Sequence, residues 1–196
     1  MTFRELAFYG WQYLHHVAAF PSYLTALHAR LPEGAIRRAV LQNAADEEVN
    51  GVSHAELWRQ FIGGMEAVQR AESEGTLPEI QDLVETYRTM ASGASLPTVL
   101  GAFYAYESKV PRIAETKLAG LKQFYGAGDS VCEYFTLHTT ADVHHASVRW
   151  KLINRRVQEE PARSTDVLEG VSREAKALWR ALDGIEAARH GLVSMN

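Results

Sequence analysis

The sequence predicts an all-α fold, and three observations carry that reading. Almost no stretch alternates apolar and polar residues with a period of two, apolar residues recur at steps of three and four through most of the chain, and turn-forming residues punctuate it at helix-sized intervals. Breaks fall at Pro21, Leu31-Pro32-Glu33-Gly34, Asn50-Gly51, Gly63-Gly64, Glu74-Gly75, Gly93, Gly126-Ala127-Gly128 and Pro161. They leave roughly seven helical segments. With 196 residues, 46% of them hydrophobic and 22% charged, the chain suits a single domain over residues 1–196. No repeat, low-complexity tract or long linker divides it.

The charge balance narrows the function classes. A net charge of -4 leaves no basic stripe for a phosphate backbone, and Arg155-Arg156 is too short to act as one, so nucleic acid is not an expected partner. The single cysteine, Cys132, cannot form an internal disulfide, in keeping with a reducing compartment. Arg4 and Glu5 interrupt the first apolar positions, and no later run is apolar enough to span a bilayer. A cytoplasmic protein without a membrane partner is expected.

Taken in chain order, the first chemically informative junction is AADEEVNGVSHAELWRQF. Ser53 and Glu56 form an S-x-x-E capping box that starts a helix at His54, while the preceding helix ends near Glu47, Glu48 and the Asn50-Gly51 turn. Glu47 and His54 thus flank a helix junction; singly, each reads as an ordinary solvated helix end. The segment from Pro97 to Tyr125 carries Leu100, Phe103, Tyr104 and Tyr106 into Glu107, which places a carboxylate on a buried face. Pro111 cannot bond the carbonyl of residue 107, so this helix is expected to bend there and aim Glu107. The segment from Asp129 to about Gln158 is apolar on several sides, including Val131, Phe135, Leu137, Val143 and Trp150, as expected of a central buried helix. The last segment, from about Asp166 to His190, places Val167, Leu168, Val171, Ala175, Leu178, Trp179, Leu182 and Ile185 on one stripe, with Arg173, Glu174, Lys176 and Arg180 on a solvated face.

The buried stripe of the Asp129 segment is interrupted by HTTADVHH. Positions i, i+4 and i+7 lie within roughly 60° of one another on a helix, so His138, Asp142 and His145 project together. A divalent cation would favour both the carboxylate and the neutral imidazoles inside a core; the alternative is that Asp142 orients a core histidine. Pooling the chain's candidates gives Glu47, His54, Glu107, His138, Asp142 and His145. Three carboxylates would repel one another without cations, and two divalent metals would reverse that balance. Mixed nitrogen and oxygen donors suit iron or manganese better than zinc. The plan is that of a di-metal bundle, although no E-x-x-H pair of the ferritin kind occurs at these glutamates.

The motifs E-x6-H followed by H-A-E-L-W, then A-F-Y-A-Y-E-S-K-V-P-R-I-A-E-T-K-L-A-G-L, then Y-F-T-L-H-T-T-A-D-V-H-H, resemble the haem-oxygenase-like di-iron oxidases and oxygenases. The likeness covers nearly the whole chain and is greatest to the subgroup of chlamydial death-domain-associating proteins and their bacterial relatives. It implies a haem-oxygenase-like helical bundle whose two metal ions, iron or iron with manganese, are held by the six residues already pooled, with O2 as co-substrate and an external reductant. It further implies p-aminobenzoate synthesis for folate, in which a tyrosine supplies the ring and a lysine the amino nitrogen. The matching lysine is Lys117, about 15 Å along a straight helix from Glu107 and by default a surface lysine. In the resemblance the consumed tyrosine lies on a helix preceding the first residue here, so the bundle is expected to lack its first helix and, with one face uncovered, either to dimerise or to be marginally stable. Tyr134, one turn before His138, Tyr104 or Tyr106 beside Glu107, and Tyr9 are the tyrosines open to that role. The alternatives are a di-iron oxygenase acting on an external small molecule and a non-enzymatic interaction bundle; a thiaminase-like reaction ranks below them because Cys132 has no evident base.

Overall fold

The computed structural model describes residues 1–65 and 75–193, with side chains described up to residue 189; Glu74, in one expected break, lies outside. All regular structure among these residues is helical: α1 (Phe3–Arg30), α2 (Ala35–Glu48), α3 (His54–Gly63), α4 (Pro78–Gly93), α5 (Leu96–Glu107), α6 (Val110–Tyr125), α7 (Asp129–His138), α8 (Ala141–Glu159) and α9 (Arg163–Val193). None is long and apolar enough to cross a membrane.

Among the described residues nine helices stand where about seven segments were expected over the whole chain, and proline and threonine act differently from the expectation. Pro21 does not end α1, which continues through it for 28 residues. A proline removes one backbone bond, but Phe20, Tyr23, Leu24 and Leu27 are buried on both sides of it and hold the helix together. Pro111 does not bend a continuous helix either. The chain breaks at Ser108-Lys109, and Pro111 falls in the first turn of α6, where its missing N–H has no intrahelical partner to lose. The Asp129 segment breaks at Thr139-Thr140 into α7 and α8. Its expected all-round burial fails as well, since Val143 and Trp150 are 57% and 53% exposed.

α1 is the central post. It begins with a capping box in which Thr2 Oγ1 accepts from Glu5 N at 3.2 Å and Glu5 Oε2 accepts from Thr2 N at 2.6 Å. α2, α3 and α4 pack around it, α3 is covered by α7, α6 by α7, and α5 lies between α8 and α9. Trp58 Nε1 donates to the Gly10 carbonyl at 2.7 Å, pinning α3 to α1. The α5–α9 crossing is close enough to require glycine on both helices: a Cβ on Gly170 would overlap the Thr98 carbonyl, and one on Gly101 would overlap the Val167 carbonyl.

α9 turns differently from its expected stripe. Leu168 and Trp179 are each 66% exposed, whereas Glu174, expected in solvent, is 3% exposed. Inward rotation of Glu174 brings it to Tyr87, whose hydroxyl donates to Oε1 at 3.4 Å. Burial pushes the Glu174 carboxyl up to about 7.

Two outcomes follow. Gly170→Ala should lower stability by about 1–3 kcal/mol, because overpacking outweighs the helix-propensity gain of about 1 kcal/mol; an unchanged denaturation midpoint would mean that the helix pair separates without cost. Glu174 binds its proton more tightly folded than unfolded, so the stability it contributes is complete below about 4.5 and is lost as pH rises through about 7. Denaturation of wild type and Glu174→Gln at pH values on either side of that window should give parallel stabilities at low pH and a relatively more stable variant at high pH. Equal pH slopes for the two proteins would refute the assignment.

Candidate metal centre

Six buried donors meet where helix ends converge. Glu47 lies in the last turn of α2, His54 is the first residue of α3, Glu107 ends α5, His138 ends α7, and Asp142 and His145 occupy the first turns of α8. They form two adjacent groups, Glu47/His54/His138 and Glu107/Asp142/His145, each with one donor atom per residue lying within 4.8 Å of the others. The expected convergence of His138, Asp142 and His145 on a single point is thereby corrected. The break at Thr139-Thr140 takes His138 off the helix that carries the other two, and the three are shared between the groups. Asp142 faces both, with Oδ2 4.0 Å from His138 Nε2 and Oδ1 3.7 Å from His145 Nδ1.

Local sequence explains several placements. Ser53 Oγ caps α3 by accepting from Glu56 N at 3.2 Å, which sets His54 at the helix start. The expected capping box is only half formed, because the Glu56 carboxylate pairs with Arg59 at 3.6 Å. His54 Nδ1 then lies 2.7 Å from Glu47 Oε2. His138 Nδ1 is 2.7 Å from the Tyr134 carbonyl, which can only accept, so Nδ1 carries the proton and Nε2 presents a lone pair to the first group.

Three further residues orient the second group and were not singled out from the sequence. Asn43 Nδ2 donates to Glu107 Oε1 at 3.0 Å. Asp46 Oδ2 lies 3.2 Å from His145 Nε2 and fixes that nitrogen as N–H, which frees Nδ1 to face Asp142. The Arg149 guanidinium is ion-paired through Nη1 with Glu107 Oε2. Their spacing was the available signal: Asn43 precedes Glu47 by one turn and Arg149 follows His145 by one turn, so each shares a face with a donor.

The electrostatics match a cation-binding interior. Asp142 Oδ2 and His145 Nδ1 are buried without hydrogen-bond partners, while His54 Nδ1 and Glu107 Oε2 meet only the charged groups of Glu47 and Arg149; buried nitrogen and oxygen donor atoms facing one another in this way fit divalent ions of the iron or manganese type. Burial lowers the His138 pKa, with Asp142 partly opposing, which keeps the imidazole neutral as ligation requires. Burial also lowers His145, but Asp142, Asp46 and Glu47 together outweigh it and raise that group. Arg149 is pulled down to about 9 by burial.

Two cavities adjoin the donors. A small one of about 10 Å³, lined by Val17, Phe20, Glu47, Tyr106, Tyr134, His138 and Asp142, matches a single small molecule in size. A cleft of about 850 Å³ is lined by Tyr9, Tyr13, Trp58, Lys117, Trp179 and other largely apolar side chains. Tyr106 and Tyr134 line both and so form the wall between them. The Tyr134 ring stacks on His138 with centroids 4.1 Å apart, and Tyr106 accepts from the Tyr13 hydroxyl at 3.3 Å. Burial raises both phenols well above their ordinary value. Tyr104 lines the cleft but not the small cavity, and its ring lies against Trp150.

Lys117 is not the surface lysine that a straight helix would make it. Because α6 starts anew after the break at Ser108-Lys109, its side chain enters the cleft, where Nζ donates to the Tyr9 hydroxyl and sits 4.5 Å from that ring's centroid. Cys132 is a buried free thiol raised by burial; among the described residues its sulfur hydrogen-bonds the Ala127 carbonyl at 3.9 Å and no base is seen beside it.

The sequence profile of a family described as iron-containing redox enzymes matches residues 8–179. The chain is 35% identical to a 4-aminobenzoate synthase of Nitrosomonas europaea, covering 94% of this chain and 79% of that one. It is also 35% identical to one of Chlamydia pneumoniae, over 91% of this chain and 80% of that one, and 34% identical to one of Chlamydia trachomatis, over 93% and 79%. A Shewanella denitrificans domain of unknown function with a haem-oxygenase-like fold superposes with a TM-score of 0.83 at 16% identity, covering 99% of this chain and 82% of that one.

Proposed function

The chain belongs to the haem-oxygenase-like family of iron-containing redox enzymes, and we propose that it is a 4-aminobenzoate synthase working at a di-metal centre, with Lys117 and a tyrosine of its own as the source of the product. The observation that carries this reading is the Lys117–Tyr9 contact in a cleft whose wall, Tyr106 and Tyr134, also faces the donor groups. The identity to curated 4-aminobenzoate synthases supports it.

Each donor has a part in this reading. Glu47, His54 and His138 would hold one ion, and Glu107, Asp142 and His145 the other, with Asp142 facing both. A bound pair of iron ions, or iron with manganese, would supply the electrons for O2 activation, and an external reductant would restore them. The protein does the rest. The small cavity, with room for about one water-sized molecule, is bounded by Val17, Phe20 and the two phenols, which limit how much water reaches the donors. Tyr134, stacked on His138, and Tyr106 are the aromatic groups nearest the oxidising side of the wall. Trp58, 4.7 Å from Tyr134 and 6.0 Å from Tyr9 between centroids, continues the aromatic contacts to the far side. Lys117 holds the Tyr9 hydroxyl and keeps its nitrogen beside that ring, the arrangement that transfer of an amino nitrogen to a tyrosine-derived ring requires. Tyr9 is the tyrosine best placed by the lysine, and Tyr134 and Tyr106 those best placed by the donors.

One observation favours a second reading, an oxygenase acting on an external molecule: the cleft, at about 850 Å³, is large enough for a drug-sized ligand.

Elemental analysis after iron-supplemented expression should give about two iron or manganese ions per chain and a clear loss in His138→Ala; a folded wild type without metal would end the di-metal reading. Intact-mass and peptide mapping after turnover should reveal a mass loss at Lys117 and at one tyrosine, and Lys117→Ala should make no 4-aminobenzoate while keeping its metal. Unchanged mass after many turnovers, with an added small molecule consumed, would transfer the assignment to the second reading.

A further inference from the structure

The two donor groups differ in one respect that the proposed chemistry does not use. Arg149 is 4% exposed and ion-pairs with Glu107, and its Nε has no hydrogen-bond partner. Resting on the di-metal reading, we infer that Arg149 is the built-in counter-ion of the Glu107/Asp142/His145 group in the metal-free protein, so that the two groups fill in order, Glu47/His54/His138 first.

The argument is one of charge and occupancy. A guanidinium held in a protein interior needs a carboxylate, and a buried carboxylate without a cation is equally unfavourable. On α8 Arg149 follows His145 by one turn, so it projects towards the same group, and its guanidinium carbon lies 5.2 Å from the Phe103 ring centroid. Both Glu107 oxygens are thereby engaged, Oε1 by Asn43 and Oε2 by Arg149. A divalent cation entering this group has to take Oε2 from the guanidinium and then sit beside a second positive charge in a poorly screened interior. The first group has no guanidinium ion pair to break: Glu47 pairs with His54, itself a donor, and the Arg149 charge acts on Glu47 without an ion pair to it, whereas it contacts Glu107 directly. His54 Nδ1 meets only Glu47 of its own group, and His138 Nε2 is left free by the bond on Nδ1. The same residue that delays the second ion also keeps Glu107 from lying uncompensated beside Asp142 in the metal-free chain.

The test is an anaerobic titration of the metal-free full chain with Mn(II), following free Mn(II) by its electron paramagnetic resonance signal and heat by calorimetry. Wild type should bind in two steps, the second weaker by about tenfold or more. Arg149→Gln should strengthen the second step several-fold and leave the first in place, and Arg149→Lys, which keeps the charge, should retain most of the gap. The order is checked separately by removing one group at a time, which does not depend on the Arg149 variants folding: His145→Ala should keep the tight step and His54→Ala the weak one. Two equal steps in wild type, equal single sites in the two histidine variants, or a second step weakened in Arg149→Gln would each overturn the inference. Binding of fewer than two ions by folded wild type would overturn it together with the di-metal reading, whereas two ions bound without regard to Arg149 would leave that reading standing.

Discussion

Buried like charge is the constraint from which this architecture follows. Glu47, Glu107 and Asp142 are each 6% exposed or less, and they share one interior region with His54, His138 and His145. Carboxylates removed from water repel one another and lose their hydration, so the region is stable only if cations or hydrogen-bond donors answer each of them. The chain answers some from its own resources. Asn43 and Arg149 take Glu107, and Asp46 steadies His145. The unpartnered atoms that remain, on Asp142 and His145, are an oxygen and a nitrogen suited to a hard or borderline divalent ion.

Helix termini are the means by which so many polar groups reach the interior. A donor in the middle of a long helix reaches only what lies beside that helix, whereas donors at the ends of α2, α3, α5, α7 and α8 approach from several directions. That is why breaks at Ser108-Lys109 and Thr139-Thr140 matter: the first ends α5 at Glu107 and lets α6 start in a new direction with Lys117 on it, and the second divides His138 from Asp142. The remaining helices hold these ends in register, with α1 as the post and the glycine crossing of α5 and α9 bringing Glu107's helix close to the cleft wall.

The helical class, the junction at Ser53 and the six donors were legible because each leaves a local mark: a period, a cap, or a charged residue inside an apolar face. What was not legible depended on long-range packing. Local propensity expects a break at Pro21 and continuity through Thr139-Thr140, and the structure reverses both, because burial of Phe20 and Tyr23 outweighs one lost backbone bond while the donor groups draw α7 and α8 apart. Helical spacing put Lys117 on the surface and Glu174 in solvent for the same reason: each inference extrapolated one helix without knowing how its neighbour would turn it. Arg149 was hidden by its type, since an arginine on an amphipathic helix reads as a solvated face unless its buried carboxylate partner is known.

The two cavities extend this logic from stability to chemistry. On the proposed reading, oxygen-dependent oxidation would require a place where a small gas molecule meets the metal without bulk water and a separate place where the group to be oxidised is held. A single open cavity would serve neither purpose well, since it would admit water to the first and let the oxidant attack whatever lay nearest. Here Tyr106 and Tyr134 stand between the two spaces, each phenol kept protonated by burial and Tyr134 stacked on a donor histidine. Trp58 lies against Tyr134 on one edge and Tyr9 and Tyr13 on the other, so aromatic contacts run unbroken from the donors to the ring that Lys117 holds. A wall of oxidisable side chains is a poor barrier to electrons and a good one to water. The arrangement therefore separates what must be kept apart from what must pass.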